Sequence, residues 1–375
     1  MIKEVMFGNK KMNSTNGETI GVICAHNPRN SGMYCVDLAA KHYFSTLNTP
    51  FDLLLTQGRD RIGGLRYRMV GSPEDLRRYS TIVYWGDFLN NPMWGQRDYP
   101  GRNNAHGNPS TEQEWAELYL GIKNHLPDAR VIVAGGCALG ARSHIKDAEL
   151  HSNYLQFLRT ADAVILRDSA SIAEINSIYN DNSNLHLGFD CASILREFKN
   201  DQARGRYFAY SFHRSLTSSE SDQLVRSVER QTGLKGMPVN WLRNEWPRPI
   251  YHWRLASQLG LMRHARFCIT DIYHFSICAM TQGTPTVCIS KPEETVDHTL
   301  NESKKRVLFD MIKLPDFHIL WNNHWQDKLH HALHNVHPKS DLSASWSHGF
   351  CAAQRQLREQ LNSLLKPHQI IADGS

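Results

Sequence analysis

From residue 19 onward, short unbroken apolar runs alternate with longer stretches whose apolar residues recur at helical spacing. The runs 19–24, 51–55, 81–84, 131–134 and 163–166 predict buried strands, and the stretches 34–47, 111–124, 154–160 and 169–179 predict helices between them. The pattern breaks between Asp190 and Arg206 and then restarts. A strand is predicted at 207–212, a helix at 218–232, a turn-rich stretch at 236–249 and a helix at 253–264. Next come a buried strand at 267–270, a polar turn carrying Asp271 and His274, a short apolar helix at 275–280, a Gly-Thr-Pro break and a second buried strand at 286–289. A further strand is predicted at 307–309 and helices at 326–336 and 349–365, the last of them able to cross back over the first half.

Alternation of this kind predicts parallel sheets with helices on both faces. The expected architecture is α/β, with two Rossmann-like domains facing each other across a cleft. An arm occupies 1–16, the first domain 17–200, the second domain 205–345, and a C-terminal helix and tail 346–375. A chain of 375 residues also exceeds one typical core. Open α/β sheets gather functional groups at the carboxyl ends of their strands. Two turns therefore stand out, Arg167-Asp168 and the segment from Asp271 to His274. The plainer role for Asp168, Ser169 and Asp271 is to cap the helices that follow them.

Composition narrows the classes. Apolar residues make up 41% of the chain, and no run approaches the ~18 residues of a membrane span. The polar start lacks the apolar core of a signal peptide. Eight cysteines without C-x-x-C spacing favour a reduced, cytoplasmic setting and give no basis for a cysteine zinc site. A net charge of +5, from 42 basic and 37 acidic residues, leaves both an anionic substrate and a nucleic-acid face open. His330, His334 and His337 share one helical face, but no carboxylate or cysteine joins them at ligand spacing, so no metal is expected. No other cofactor is implied. The Asn-, Gly-, Arg- and Pro-rich stretch 90–109, with Trp94 and Tyr99, is long for a structureless connection and reads as an acceptor-binding loop.

Several of these segments together resemble the polysaccharide pyruvyl transferase family. Ala161 to Ser171 is similar to the family's strand ending in V-R-D-x-x-S, and Leu187-Gly-Phe-Asp190 to its next strand and aspartate. Thr270, Asp271, His274, Gly283 and Pro285 match T-D-R-L-H followed by G-x-P, with Ile272 in place of the arginine. Asn30-Ser-Gly32-Met33 sits where the family has G-N-x-G-D, with Met33 in the acidic position, and Trp85-Gly86-Asp87 keeps one glycine of a glycine-rich turn.

The resemblance implies a GT-B-like arrangement and transfer of a pyruvyl group from phosphoenolpyruvate onto two sugar hydroxyls of a glycan. A phosphate and a carboxylate on the donor call for guanidinium groups, for which Arg167, Arg29, Arg214 and Arg243 are candidates. His274 is the candidate for proton transfer near neutral pH, with Asp271 orienting it. Asn30, Gly32, Asp87, Trp94 and Tyr99 are candidates for the acceptor side. Ile272 cannot neutralise a phosphate, so either another cation replaces the family arginine or the donor differs. Two other functions remain open at this stage. One is glycosyl transfer from a nucleotide-sugar, with a saccharide or a modified DNA base as acceptor. The other is a binding module that has lost the chemistry. No nucleic-acid-binding motif is present.

Overall fold

A computed structural model describes residues 18–24, 30–57, 60–86, 99, 101, 103, 106–144, 148–179, 183–195, 205–241, 248–292, 296–336 and 342–365. The first half builds a parallel sheet from β1 (Ile20–Cys24), β2 (Phe51–Leu55), β5 (Arg68–Met69), β6 (Thr81–Trp85), β7 (Arg130–Gly136), β8 (Ala163–Leu166) and β9 (Leu185–Leu187). Its order is β5-β2-β1-β6-β7-β8-β9. A small antiparallel hairpin, β3 (Arg61–Ile62) and β4 (Leu65–Arg66), stands beside it. All five residues of β1 are buried, as are four of the five in β6. Unbroken apolar strands of this kind form because helices cover both faces of the sheet.

The second half builds a five-stranded parallel sheet in the order β11-β10-β12-β13-β14. Its strands are β10 (Tyr207–Ser211), β11 (Lys235–Pro238), β12 (Cys268–Thr270), β13 (Thr286–Ser290) and β14 (His318–Leu320). The longer helices are α1 (Ser31–Phe44), α2 (Ala148–Thr160), α3 (Ser169–Ile178), α4 (Ser218–Thr232), α5 (Arg248–His264), α6 (Tyr273–Thr281), α7 (Val296–Met311), α8 (Trp325–Val336) and α9 (Leu342–Leu365). No described helix is long and apolar enough to cross a membrane.

The structure corrects three local expectations. Residues 307–309 are not a strand but part of α7. Lys305, Leu308, Phe309 and Ile312 are all buried, and this three- and four-residue spacing marks one helical face. A run of three apolar residues could not by itself separate the two alternatives. The turn-rich stretch from 236 hides an edge strand, β11, whose Gly and Pro content disguises it. The helix expected at 111–124 is interrupted by a π-helical turn, Ala116–Leu120, which ends at Gly121.

The two sheets meet along a seam. Helix α1 starts at Asn30, whose side chain accepts the Gly32 N–H at 2.9 Å. Most of its residues are buried, because it lies between its own sheet and the helices of the other half. Tyr34 packs edge-on against Tyr251 of α5 at 4.8 Å. One apolar cluster runs from Ile20 and Tyr34 through Phe275 and Ile289 to Leu361, so the halves share a core. Helix α9 braces both halves. Phe350 meets Phe189 at 5.5 Å, Gln360 donates to the Leu187 carbonyl, and Gly349 sits against the Ile312 backbone. Burying an aromatic or leucine side chain contributes roughly 1.5–3 kcal/mol, so such a seam is held mainly by apolar contact.

Candidate functional site

The site begins at the carboxyl end of β8. Arg167 directly follows the strand, donates its backbone N–H to the Gly136 carbonyl at 2.9 Å, and is buried. Asp168 is the N-cap of α3, accepting the Ser171 N–H at 2.6 Å, while its other oxygen lies 3.5 Å from Arg167 Nε. It therefore serves as cap and counter-charge together. After β9 the chain turns at Asp190, the N-cap of a 3-10 turn, Cys191–Ile194. One Asp190 oxygen accepts the Ala192 N–H at 2.9 Å. The other lies 3.5 Å from Arg167 Nη1 and 3.5 Å from His274 Nε2.

His274 comes from the second half, in the first turn of α6 after β12. It crosses the seam to reach Asp190, and Gly32 makes the approach feasible. A Cβ at Gly32 would stand 2.4 Å from His274 Cβ and 2.9 Å from Nδ1. Tyr273 forms the floor. Its buried ring has the Arg167 guanidinium 4.8 Å from the centroid and the Lys304 ammonium 5.6 Å away, both within cation–π range. Lys304 is carried by α7 and is partly exposed.

Burial sets the protonation of this cluster. It pushes His274 below the usual imidazole value; Asp190 pulls the other way, while Arg167 and Lys304 add to the push. His274 is thus neutral at pH 7 and able to accept a proton. Burial also pushes Lys304 down, and with Arg167 close by its value falls to about 7. Burial works to raise the Asp190 carboxyl, but His274, Arg167 and the Ala192 N–H more than offset this, leaving it below the ordinary carboxylate range. The 3.5 Å separations are longer than the ~2.8 Å of a fully formed charge-assisted bond. Cations and a neutral base therefore face one another across the seam without closing on each other.

The expected site residues divide by this geometry. Arg167 and His274 come together on Asp190, and Gly32 abuts His274. Asn30 is occupied as the cap of α1. Arg214 is exposed, and its charge lowers Lys304. Asp271 is a correction. Its carboxylate does not orient His274, nor does it cap α6, whose N-cap is Ile272. It accepts instead from the backbone N–H groups of His213, Arg214, Ser215 and Leu216 at 2.7–3.0 Å. Tyr99 is a second correction, since it is fully buried against Tyr119 at 6.1 Å in the apolar core behind the first sheet. Arg29, Asp87, Trp94 and Arg243 lie outside the described residues. On the histidine-rich helix α8, His330, His331 and His334 are exposed.

Sequence reading assigned no role to Asp190, Tyr273 or Lys304. Asp190 carried a signal only through the family resemblance, as the aspartate that closes Leu187-Gly-Phe-Asp190. Lys304 carried none, because it sits mid-helix in a charged stretch.

The fold and this seam define the class: an α/β protein of two Rossmann-like sheets in a GT-B-like arrangement, with its polar cluster at the seam between them. The polysaccharide pyruvyl transferase family model matches residues 107–291, a stretch that holds Arg167, Asp190, Asp271 and His274. Asn30 to Met33 and Trp85 to Asp87 fall outside it. Among solved structures, a UDP-GlcNAc 2-epimerase from Methanocaldococcus jannaschii is similar at TM-score 0.51 and 12% identity, covering 91% of this chain and 99% of that one. A Listeria monocytogenes protein assigned as a UDP-N-acetylglucosamine 2-epimerase is similar at TM-score 0.50 and 11% identity, covering 93% and 97%. At such identities the likeness is one of fold. No curated protein matches this sequence.

Proposed function

We propose that this chain transfers a pyruvyl group from phosphoenolpyruvate to two hydroxyls of a glycan or glycan precursor. The observation that carries the reading is the convergence of Arg167, Lys304 and His274 around Asp190 and Tyr273. The donor is small and bears a carboxylate and a phosphate. Arg167, always charged and forked, suits the carboxylate or phosphate in bidentate fashion. Lys304 supplies the cation that Ile272 cannot, since Ile272 is buried and apolar. Neutral His274 takes the proton of an attacking hydroxyl. As that oxygen bonds to the central carbon of the donor, the methylene carbon gains a proton and becomes a methyl group. The second hydroxyl then adds, the carbon–phosphate oxygen bond breaks, and phosphate leaves with the remaining proton.

Glycosyl transfer from a nucleotide-sugar is the competing reading, on the same kind of scaffold. Its donor would need a phosphate cradle at the carboxyl end of the second sheet, where the Asp271 carboxylate already lies. Two measurements test the choice. Thermal midpoints with phosphoenolpyruvate and with a panel of nucleotide-sugars should rise for phosphoenolpyruvate alone; a ligand at ~100 times its Kd adds about 2.7 kcal/mol. Phosphate release from phosphoenolpyruvate should also require a glycan acceptor. A shift with a nucleotide-sugar alone would overturn the reading.

A further inference from the structure

The connection after β10, residues 212–217, turns its backbone N–H groups inward ahead of α4. His213 donates to one Asp271 oxygen at 3.0 Å, and Arg214, Ser215 and Leu216 donate to the other at 3.0, 2.7 and 3.0 Å. Successive N–H groups before a helix, at the carboxyl end of a parallel sheet, make a concavity suited to a phosphate. Here the chain fills it with a carboxylate that is 1% exposed.

The filling is braced from behind. Lys305, also buried, donates to the Asp271 carbonyl at 3.2 Å, to Ser215 Oγ at 2.8 Å and to both Glu302 oxygens at 2.9 and 2.8 Å. Ser215 Oγ donates to Glu302 at 2.7 Å, and Glu302 also accepts the Lys291 N–H at 2.8 Å. The connections after β10, β12 and β13 are thereby tied to two carboxylates and one ammonium. A diphosphate entering this place would have to displace a buried charge from four donors and face a second carboxylate.

We propose that Asp271 is a specificity-determining residue: its carboxylate occupies the phosphate cradle of the second sheet and bars nucleoside diphosphates, confining donors to the small anion cluster at Arg167 and Lys304. The inference deepens the pyruvyl reading, but its core, the closed cradle, stands without it.

The test uses the full chain, with UDP and inorganic pyrophosphate as probes. Wild-type protein should show no thermal shift with either. Asp271→Ala and Asp271→Ser should have lowered midpoints that recover saturably with pyrophosphate or UDP. Folded variants that ignore both anions would overturn the proposal, as would any saturable shift of the wild type with UDP. Should neither variant fold, amide hydrogen exchange on wild type decides. Protection at His213 to Leu216 should be unchanged by UDP, and a gain there would overturn the proposal. Phosphoenolpyruvate is read in the same assay. A missing response to it counts against the pyruvyl reading alone, whereas a response to UDP counts against the closed cradle.

Discussion

Asp190 and His274, carried by different sheets, face each other across the seam with Oδ2 and Nε2 3.5 Å apart, and the same Asp190 oxygen lies 3.5 Å from Arg167. Neither half alone holds this arrangement, so the proposed chemistry would depend on how the halves dock.

Replacing Asp190 by Asn keeps the shape and removes the charge. We expect kcat/KM to fall by roughly 100-fold, the scale of a displaced acid–base group, with the fold retained. Asp190→Ala should in addition cost about 3 kcal/mol of stability, because buried Arg167 loses a carboxylate partner. Steady-state kinetics and urea denaturation check both. An Asn variant of native activity would leave Asp190 a purely structural role.

Gly32→Ala would force either His274 or the start of α1 to move, since the new Cβ falls 2.4 Å from His274 Cβ. We expect kcat to drop by about tenfold or more and stability by about 1–3 kcal/mol, the usual cost of overpacking. Asn30→Ala removes only the cap and should cost about 1 kcal/mol with little change in kcat. Equal activity losses in the two variants would reduce Gly32 to its part in starting the helix.

The pH profile follows from two groups shifted downward. In the proposed reaction His274 works neutral, so activity should be lost as pH falls through its depressed value. Lys304 works charged in that reaction; it lies over Tyr273 and feels Arg167, Cys137, Arg214, Lys305 and His274, so activity should be lost as pH rises through about 7. We expect a bell-shaped kcat/KM profile. Lys304→Arg should carry the alkaline limb beyond about pH 10, because a guanidinium stays charged there. An unmoved limb would assign it to another group.

Glu302 sets a stability limb of its own. Burial pushes its carboxyl up, but Lys305, Ser215 and the Lys291 N–H more than offset this, so it ends below 4.5. A folded value below the unfolded one contributes stability above 4.5 that is lost as pH falls through the folded value. Glu302→Gln should lose about 3 kcal/mol at pH 7 and flatten the acid side of a plot of denaturation midpoint against pH. An unchanged acid slope would place that titration elsewhere.

Much of this molecule was legible in the sequence. The strands at 20–24, 81–85 and 163–166 follow from apolar runs, and Arg167 and His274 stand out because each follows a strand end. What misled was equally local. Val307 to Phe309 read as a strand because three apolar residues fit either period. Tyr99 read as an acceptor contact because its polar neighbourhood gave no sign that it turns into the core.

By itself the sequence determined the α/β alternation, the two parallel sheets and the turns that deliver Arg167 and His274, because strand and helix periodicity and strand-end turns are properties of neighbouring residues. Only the tertiary structure decided that Asp190, rather than Asp271, partners His274, that Lys304 joins Arg167 over Tyr273, and that Asp271 accepts the backbone N–H groups after β10. Those pairings join residues far apart along the chain. Their charges and hydrogen bonds depend on which connections the shared apolar core brings to the seam, and on how much water that packing removes.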